Sequence, residues 1–441
     1  MKLSEHFTYK KLIEFCMPSI FMMLFTSFYV VIDGLFISNF IGKTSFAAVN
    51  IIIPFLLMIG GFGFMIGTGG SALVSKTLGE RKIELAGKYF SMLILFAIIF
   101  GIGISIVSIL FLKDISILLG ATNDMMKDCL IYGKVLLIFN VSYMLQNIFQ
   151  TFLVTAENPK LGLKVTILAG ITNMVLDAIF IIWFNWGVFG AALATGISQT
   201  VGTVIPLIYF IISKESILKL TKTDIKWDVI LKSCSNGMSE VMTSVSTSVI
   251  SIVYNLQLLK FAGENGVAAY GAIMYVQFIF ISIYLGYDIG TAPIIGYNYG
   301  AKNHLELNNM LKKSLVLLFS SGVVLFLVAQ IGTDSISTIF VGYDFELFNM
   351  TSKAFRIFSI SFLIVGFNTF SSSFFTALNN GFVSAIISFM RTFVFQIVAV
   401  LVLPIFYGLS GIWAATIVSE VLAFLVGISF ILGLGKFYNY I

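Results

Sequence analysis

Residues 165–184 read VTILAGITNMVLDAIFIIWF, twenty positions that carry a single charge, Asp177. About 20 mainly apolar residues are what an α-helix needs to cross the hydrocarbon core of a bilayer. A carboxylate inside such a helix costs roughly 2.5–3.5 kcal/mol on insertion scales, so membrane proteins rarely keep one without use. Asn173 precedes Asp177 by four residues, which places it one turn away on the same helix face. Its amide can orient the carboxyl in either the charged or the neutral form. The stretch therefore predicts a membrane span built around an Asn-x3-Asp pair. The competing account is a purely structural polar contact between helices.

The rest of the chain has the same character. It is 58% hydrophobic and 11% charged, with a mean hydropathy of +1.00. Soluble domains carry about 25% charged residues. The basic pI of 8.9 is no sign of nucleic acid, because the charge falls in short loops between apolar spans. The N-terminal MKLSEHFTYKKL lacks the pattern of a cleaved leader. Cys16, Cys129 and Cys234 are widely separated, so neither a disulfide framework nor a zinc site is expected. With only His6 and His304 in the chain, a nucleophilic triad has almost no raw material, and no enzyme is expected. No cofactor is expected either.

Twelve spans can be read, at 13–39, 47–75, 89–111, 130–154, 161–184, 187–213, 233–259, 268–298, 314–333, 354–376, 382–405 and 410–435. Gly, Asn, Pro and charges mark the breaks. The longest polar connection, 214–232, divides the chain near its midpoint. Eighteen Lys and Arg residues fall on the side of the termini and this linker, and four (Lys43, Lys113, Lys127 and Lys260) fall opposite. That asymmetry predicts cytoplasmic termini and a cytoplasmic linker.

The chain also repeats itself. At a constant offset of 221, Gly42, Ala47 and Ala48 fall on Gly263, Ala268 and Ala269. Gly79 falls on Gly300, Asn158 on Asn379, and Gly187, Thr195 and Ser198 on Gly408, Thr416 and Ser419. Six spans per half is an even number, so the halves have parallel topology. The expected fold is an all-α membrane protein of twelve transmembrane helices in two six-helix lobes, 1–213 and 233–441, joined by the 214–232 linker. Transporters with such repeats hold cargo between the halves and rock them in alternation. The membrane acids break the repeat. Asp33 maps onto Tyr254, Asp177 onto Val398, Glu240 onto Ser19, Asp288 onto Gly67 and Glu420 onto Gln199. Each half therefore has its own polar chemistry.

Asp33 is the sole charge between Phe15 and Gly42, and Pro18 in the same span is a candidate hinge. Asp33 and Asp177 suggest a shared cation site whose two carboxyls titrate as a pair. Glu240 and Asp288 are candidate substrate acids, with Tyr275 and Phe278 as candidate aromatic partners for a cation. Gly61, Gly63, Gly67, Gly69 and Gly70 loosely imitate a phosphate loop, but with no preceding strand they read as close helix packing. The sequence leaves open whether Arg391 pairs with an acid or snorkels to the interface.

These residues resemble the multidrug and toxic compound extrusion family, a branch of the superfamily that includes polysaccharide flippases. The resemblance covers nearly the whole chain. It is carried by Val31-Ile32-Asp33-Gly34, Ala72-Leu73-Val74-Ser75 to Gly79, Thr155-Ala156-Glu157-Asn158, Asn173 to Asp177, and Pro293-Ile294-Ile295-Gly296-Tyr297-Asn298-Tyr299-Gly300. Asn236-Gly237-Met238-Ser239-Glu240 points to the bacterial branch with the staphylococcal multidrug exporter. The resemblance implies an antiporter, driven by inward H+ or Na+, that exports organic cations and drugs across the bacterial plasma membrane as a monomer. It implies a cation site at Asp33, Asn173, Asp177, Tyr132 and Thr195, where Na+ would sit against Asp33, Asn173 and Asp177. The alternative function is a flippase for a lipid-linked saccharide. A flippase must hold pyrophosphate, usually with Arg clusters, and the spans contain only Arg356 and Arg391.

Overall fold

The computed structural model describes residues 1–440. Helices make up most of the chain, and no strand occurs among the described residues. The first half holds α1 (Tyr9–Phe36), α2 (Lys43–Gly79), α3 (Ile83–Leu110), the short α4 (Leu112–Leu118), α5 (Asn123–Ile138), α6 (Asn140–Thr155), α7 (Pro159–Asp177) and α8 (Gly187–Ile212). The second half holds α9 (Trp227–Asn236), α10 (Met238–Gly300), α11 (His304–Val341), α12 (Phe345–Phe358), α13 (Phe362–Ala377), α14 (Gly381–Phe389) and α15 (Phe395–Tyr438). Leu, Ile, Val and Phe side chains stand exposed along α3, α11 and α15, where lipid rather than water solvates them.

Among the described residues, nine helices or directly continued helices are long and apolar enough to cross a membrane. The bent pair α5–α6, with 55° between its parts, makes a tenth. A 63-residue helix such as α10 would be about 95 Å long if straight, three times the bilayer core. It is not straight. Gly263 leaves helical conformation at φ 60°, ψ −150°, and Gly408 does the same within α15 at φ 57°, ψ −138°. Positive φ strains any residue with a Cβ, so glycine occupies these reversals. The twelve-span reading counts α10 and the α14–α15 segment as two spans each, divided at these glycines.

The backbone also exhibits the internal repeat. Gly42 and Gly263 both have positive φ, as do Gly187 and Gly408, and Arg81 and Lys302. All three pairs keep the 221 offset. The repeat is nevertheless not gapless. The positive-φ residue after α6 is Glu157, and the one after α13 is Asn379, an offset of 222. The helix caps confirm the slip, for Asn158 accepts the Leu161 N–H and Asn380 accepts the Val383 N–H, each at 3.3 Å. Asn158 thus corresponds to Asn380, not to Asn379. The extra residue is absorbed before Gly408, so Asp177 faces Val398 or Ala399 and still has no acidic counterpart.

The halves close against each other at the end of α2 that carries Lys76. A Cβ on Gly79 would overlap the Tyr297 carbonyl oxygen, and one on Gly300 would overlap that of Lys76. Since Lys76 and Gly79 are the repeat mates of Tyr297 and Gly300, this contact has pseudo-twofold symmetry. Lys76 Nζ also lies 5.1 Å from the Tyr299 ring centroid, a cation–π contact across the halves. The N-terminal segment straps the same end. Leu3 N–H donates to Glu157 Oε1 at 2.6 Å in the first half. Phe7 N–H donates to Glu306 Oε1 at 3.0 Å in the second, and His6 Nδ1 meets Glu306 Oε2 at 2.6 Å. Burial raises the Glu157 carboxyl above its ordinary pKa, and the Leu3 N–H opposes that shift. Leu3, Phe7, Leu12, Phe15 and Cys16 join the apolar core of the second half.

Candidate functional site

Packing of α1 against α7 builds the first polar site. Gly170 leaves room on α7 for the rings of Phe25 and Tyr29, which a Cβ there would crowd. Asp177 lies two turns beyond Gly170, and Asp33 one turn beyond Tyr29, so the close approach brings the acids together. Their carboxyls are within hydrogen-bonding reach of one another, and neither has a basic neighbour acting on it among the described residues. Tyr132 on α5 is buried beside both acids. Because α5 begins at Asn123, Tyr132 stands well inside its helix. Asn173 Nδ2 donates to Thr195 Oγ1 on α8 at 3.4 Å. All five residues predicted for cation coupling are therefore brought into one cluster.

The cluster is short of donors. Both oxygens of Asp177, Oδ1 of Asp33 and Oδ1 of Asn173 are buried without a hydrogen-bond partner. Buried acceptors left unpaired cost about 1–3 kcal/mol each. A proton on one carboxyl, or a hard cation among the oxygens, removes that cost. No group of three His, Cys, Asp or Glu side chains suited to a metal occurs among the described residues. The oxygens here come from two acids, an amide and two hydroxyls, a set that fits H+ or Na+.

The same place in the second half is chemically different. Tyr254, the mate of Asp33, donates to Gln396 Oε1 at 2.9 Å and lies 3.0 Å from Oγ1 of Thr416, the mate of Thr195. Its ring stacks on Tyr270 with centroids 4.9 Å apart. A neutral, satisfied network thus replaces the acid pair, as the broken repeat anticipates.

A second polar site lies between the halves. A cavity of about 260 Å³ is lined by Met23, Phe64, Thr68, Ser71 and Thr151 from the first half, and by Glu240, Asp288 and Arg391 among others from the second. Glu240 and Asp288 thus share one chamber. Tyr275 and Phe278 do not line it. Tyr275 stacks on Phe340 of α11, centroids 6.0 Å apart and planes at 8°, and both candidate aromatics are exposed. Helical spacing alone cannot tell which face of α10 meets the other half, which is why that expectation failed. Pro18 is buried within α1, which runs unbroken from Tyr9 to Phe36. The glycines of α2 pack helices as expected, since a Cβ on Gly63 would come within 2.9 Å of Met144 Cα and one on Gly67 within 3.2 Å of Ile148 Cα.

Arg391 does pair with an acid. Its Nε lies 3.0 Å from both carboxyl oxygens of Glu420, and one Nη lies 2.9 Å from Oε1. Asn368 Nδ2 donates to Glu420 Oε2 at 2.6 Å. Sequence reasoning also missed the π-helical turns Ile37–Ile41, Ala178–Trp183 and Met390–Val394. They begin four residues after Asp33, directly after Asp177, and around Arg391. Such turns are frequent at functional sites. The hydroxyl lining of the cavity was missed too, although Ser371-Ser372-Ser373 and the Ser/Thr-rich stretch 239–248 signal it.

The MatE family profile matches residues 18–179 and again residues 241–402, one match per half. The chain belongs to the MatE family. Similar proteins include the multidrug export protein MepA of Staphylococcus saprophyticus, 24% identical over 415 residues, 92% of this chain and 88% of that one. MepA of Staphylococcus aureus is likewise 24% identical, over 93% of this chain and 91% of its own. Among solved structures, an outward-facing multidrug resistance MATE family transporter of the MOP superfamily aligns with a TM-score of 0.91 and 22% identity over 98% of both chains. A MATE crystal structure in complex with MaL6 aligns with a TM-score of 0.91 and 22% identity, covering 96% of this chain and 95% of that one. At this identity the structures speak to the fold, which is the two-lobed MATE architecture of a multi-span membrane transporter.

Proposed function

We propose that this transporter exchanges inward-moving H+ or Na+, taken at the Asp33–Asp177 pair, for organic cations and drugs held in the inter-lobe cavity at Glu240 and Asp288. The observation that carries this reading is the separation of two polar sites. One is a donor-poor acid pair inside the first lobe, and the other is a chamber shared by both lobes. Antiport by alternating access can use such a pair, one site for the driving ion and one exposed in turn to each side. The names of the staphylococcal relatives support drug export. We take the lobes as residues 1–213 and 233–441 with 214–232 as linker, and one chain contains both sites, so a monomer suffices.

The flippase reading is weaker, because a pyrophosphate needs a cluster of guanidinium groups. Arg391 is the one arginine that lines the cavity, and Arg356 lies 3.2 Å from Asp334 at an exposed position. Purified protein in liposomes, with proton and sodium gradients imposed separately, tests the function. One gradient should drive export of an organic cation. No response to either gradient would remove the coupling mechanism, and movement of a lipid-linked saccharide instead would favour the flippase.

We further propose that this is a plasma-membrane protein with cytoplasmic termini, supported by the eighteen-to-four basic asymmetry. Single cysteines at Lys222 and Asn265, labelled from outside intact cells, should differ, with Asn265→Cys reacting and Lys222→Cys staying silent. The opposite pattern would invert the topology.

A further inference from the structure

The lining of the inter-lobe cavity is unusual for a chamber that takes flat lipophilic cations. Eleven of its nineteen residues carry hydroxyls, and Phe64 is the one aromatic. Most of the hydroxyls, such as Thr68, Thr243 and Ser244, already donate to helix carbonyls, so they offer acceptor oxygens that suit an amine. Pockets for apolar ligands are lined mainly by hydrophobic and aromatic side chains, with few polar groups. This one also brings acidic and basic side chains together, since Glu240, Asp288 and Arg391 all line it.

Arg391 is held in a fixed orientation. Glu420 engages its Nε and one Nη, and Asn368 fixes Glu420 in turn through the 2.6 Å bond to Oε2. Nη1, the remaining nitrogen, makes no hydrogen bond among the described residues, and the side chain borders the cavity. A guanidinium clamped along one edge presents its other edge as a rigid fork, which matches the two oxygens of a carboxylate. Glu420 offsets much of its charge, so directional hydrogen bonding rather than bulk attraction would do the selecting.

We infer that the cavity takes a small polar zwitterion, a protonated amine with a carboxylate a short distance away, and that Arg391 and the hydroxyl lining set this specificity. The amine faces the Glu240 and Asp288 side and the carboxylate faces the Arg391 fork. The inference rests on the proposed role of Glu240 and Asp288 as the cation-binding groups. A site built to hydrogen-bond a polar substituent rejects analogues lacking it far more strongly than an apolar pocket rejects a missing methylene.

The test is calorimetric binding to the purified protein of unbranched ω-amino acids of increasing length, each with its methyl ester and its N-acetyl derivative. At least one amino acid should bind tenfold or more tightly than its methyl ester. That preference should shrink in Arg391→Lys, which keeps the charge and loses the fork. It should vanish in the double variant Arg391→Leu with Glu420→Leu, while the amine requirement persists. Equal binding of acid and ester by the unaltered protein would overturn the inference and leave the cation reading intact. Equal binding of amine and N-acetyl forms would instead remove the cation reading. Binding of tetraphenylphosphonium with no binding of any amino acid would also overturn the inference. The comparison on unaltered protein stands even if the double variant fails to fold.

Discussion

Asp177→Asn should abolish gradient-driven export, by a hundredfold or more, while the protein still folds and reaches the membrane. Asparagine is nearly isosteric with aspartate, but it carries no titratable proton and no charge for a cation. Asp177 is fully buried, with both side-chain oxygens lacking a donor and Asp33 as its nearest charge. An amide there can donate to the Asp33 carboxyl, so folding stability should hold or rise, by up to about 1–3 kcal/mol if one orphaned acceptor is satisfied. A structural acid behaves in the opposite way, because removing a needed buried polar contact lowers stability. Thermal unfolding together with proteoliposome efflux therefore separates the two accounts. Asp33→Asn should give the same loss, since the proposed site needs both carboxyls to hold the driving ion. Substrate binding in the inter-lobe cavity should survive both substitutions, because neither residue lines it. Full gradient-driven export by Asp177→Asn would sink the coupling site, and a large fall in stability would return Asp177 to a structural role.

What the sequence discloses about this protein depends on the range of the interaction concerned. Lone acids in apolar spans stand out residue by residue, so Asp33, Asp177, Glu240 and Asp288 were visible, and Asn173 followed from helical spacing. The breaks at Gly263 and Gly408 were visible as punctuation, because positive φ selects glycine. Cross-helix relations were not. Arg391 and Glu420 are 29 residues apart on different spans, and no local pattern joins them. Tyr275 and Phe278 were credible partners for a cation until the structure fixed which face of α10 meets the other half. The one-residue slip of the repeat was invisible as well, since Asn379 and Asn380 are the same residue type and only the cap geometry distinguishes them. The π-helical turns at the sites follow from no propensity rule. Each widens its helix by one residue per turn, a feature that no local pattern in these stretches marks.

The pseudo-twofold contact of Gly79 with Tyr297 and of Gly300 with Lys76 leads to the second large effect. Gly79→Val should hold the two lobes apart at the end carrying Lys76, because the new Cβ would overlap the Tyr297 carbonyl oxygen. The obstructing atom is backbone, so no side chain can swing away. Relief requires α2 and α10 to separate. Overpacking of this kind costs about 1–3 kcal/mol, and here it falls only on the closed state. A bias of that size shifts the ratio of closed to open forms by roughly 5- to 150-fold. Export should fall at least tenfold, because alternating access needs the closed form in every cycle. Gly300→Val should reproduce the effect from the other lobe, against the Lys76 carbonyl. Gly103→Val on α3 is the control, since nothing lies within 4 Å of a Cβ there. The direction of the shift is measurable. With the native cysteines replaced, Thr68→Cys in the cavity lining should react faster from the cytoplasmic side once Gly79→Val is added. Slower labelling, or unchanged export with valine at both positions, would show that this contact is not the gate. The strap from Leu3 to Phe7, through Glu157 on one side and Glu306 on the other, and the bond from Asn379 Nδ2 to the Ala72 carbonyl at 3.2 Å would then be the next candidates for holding the lobes together at this end.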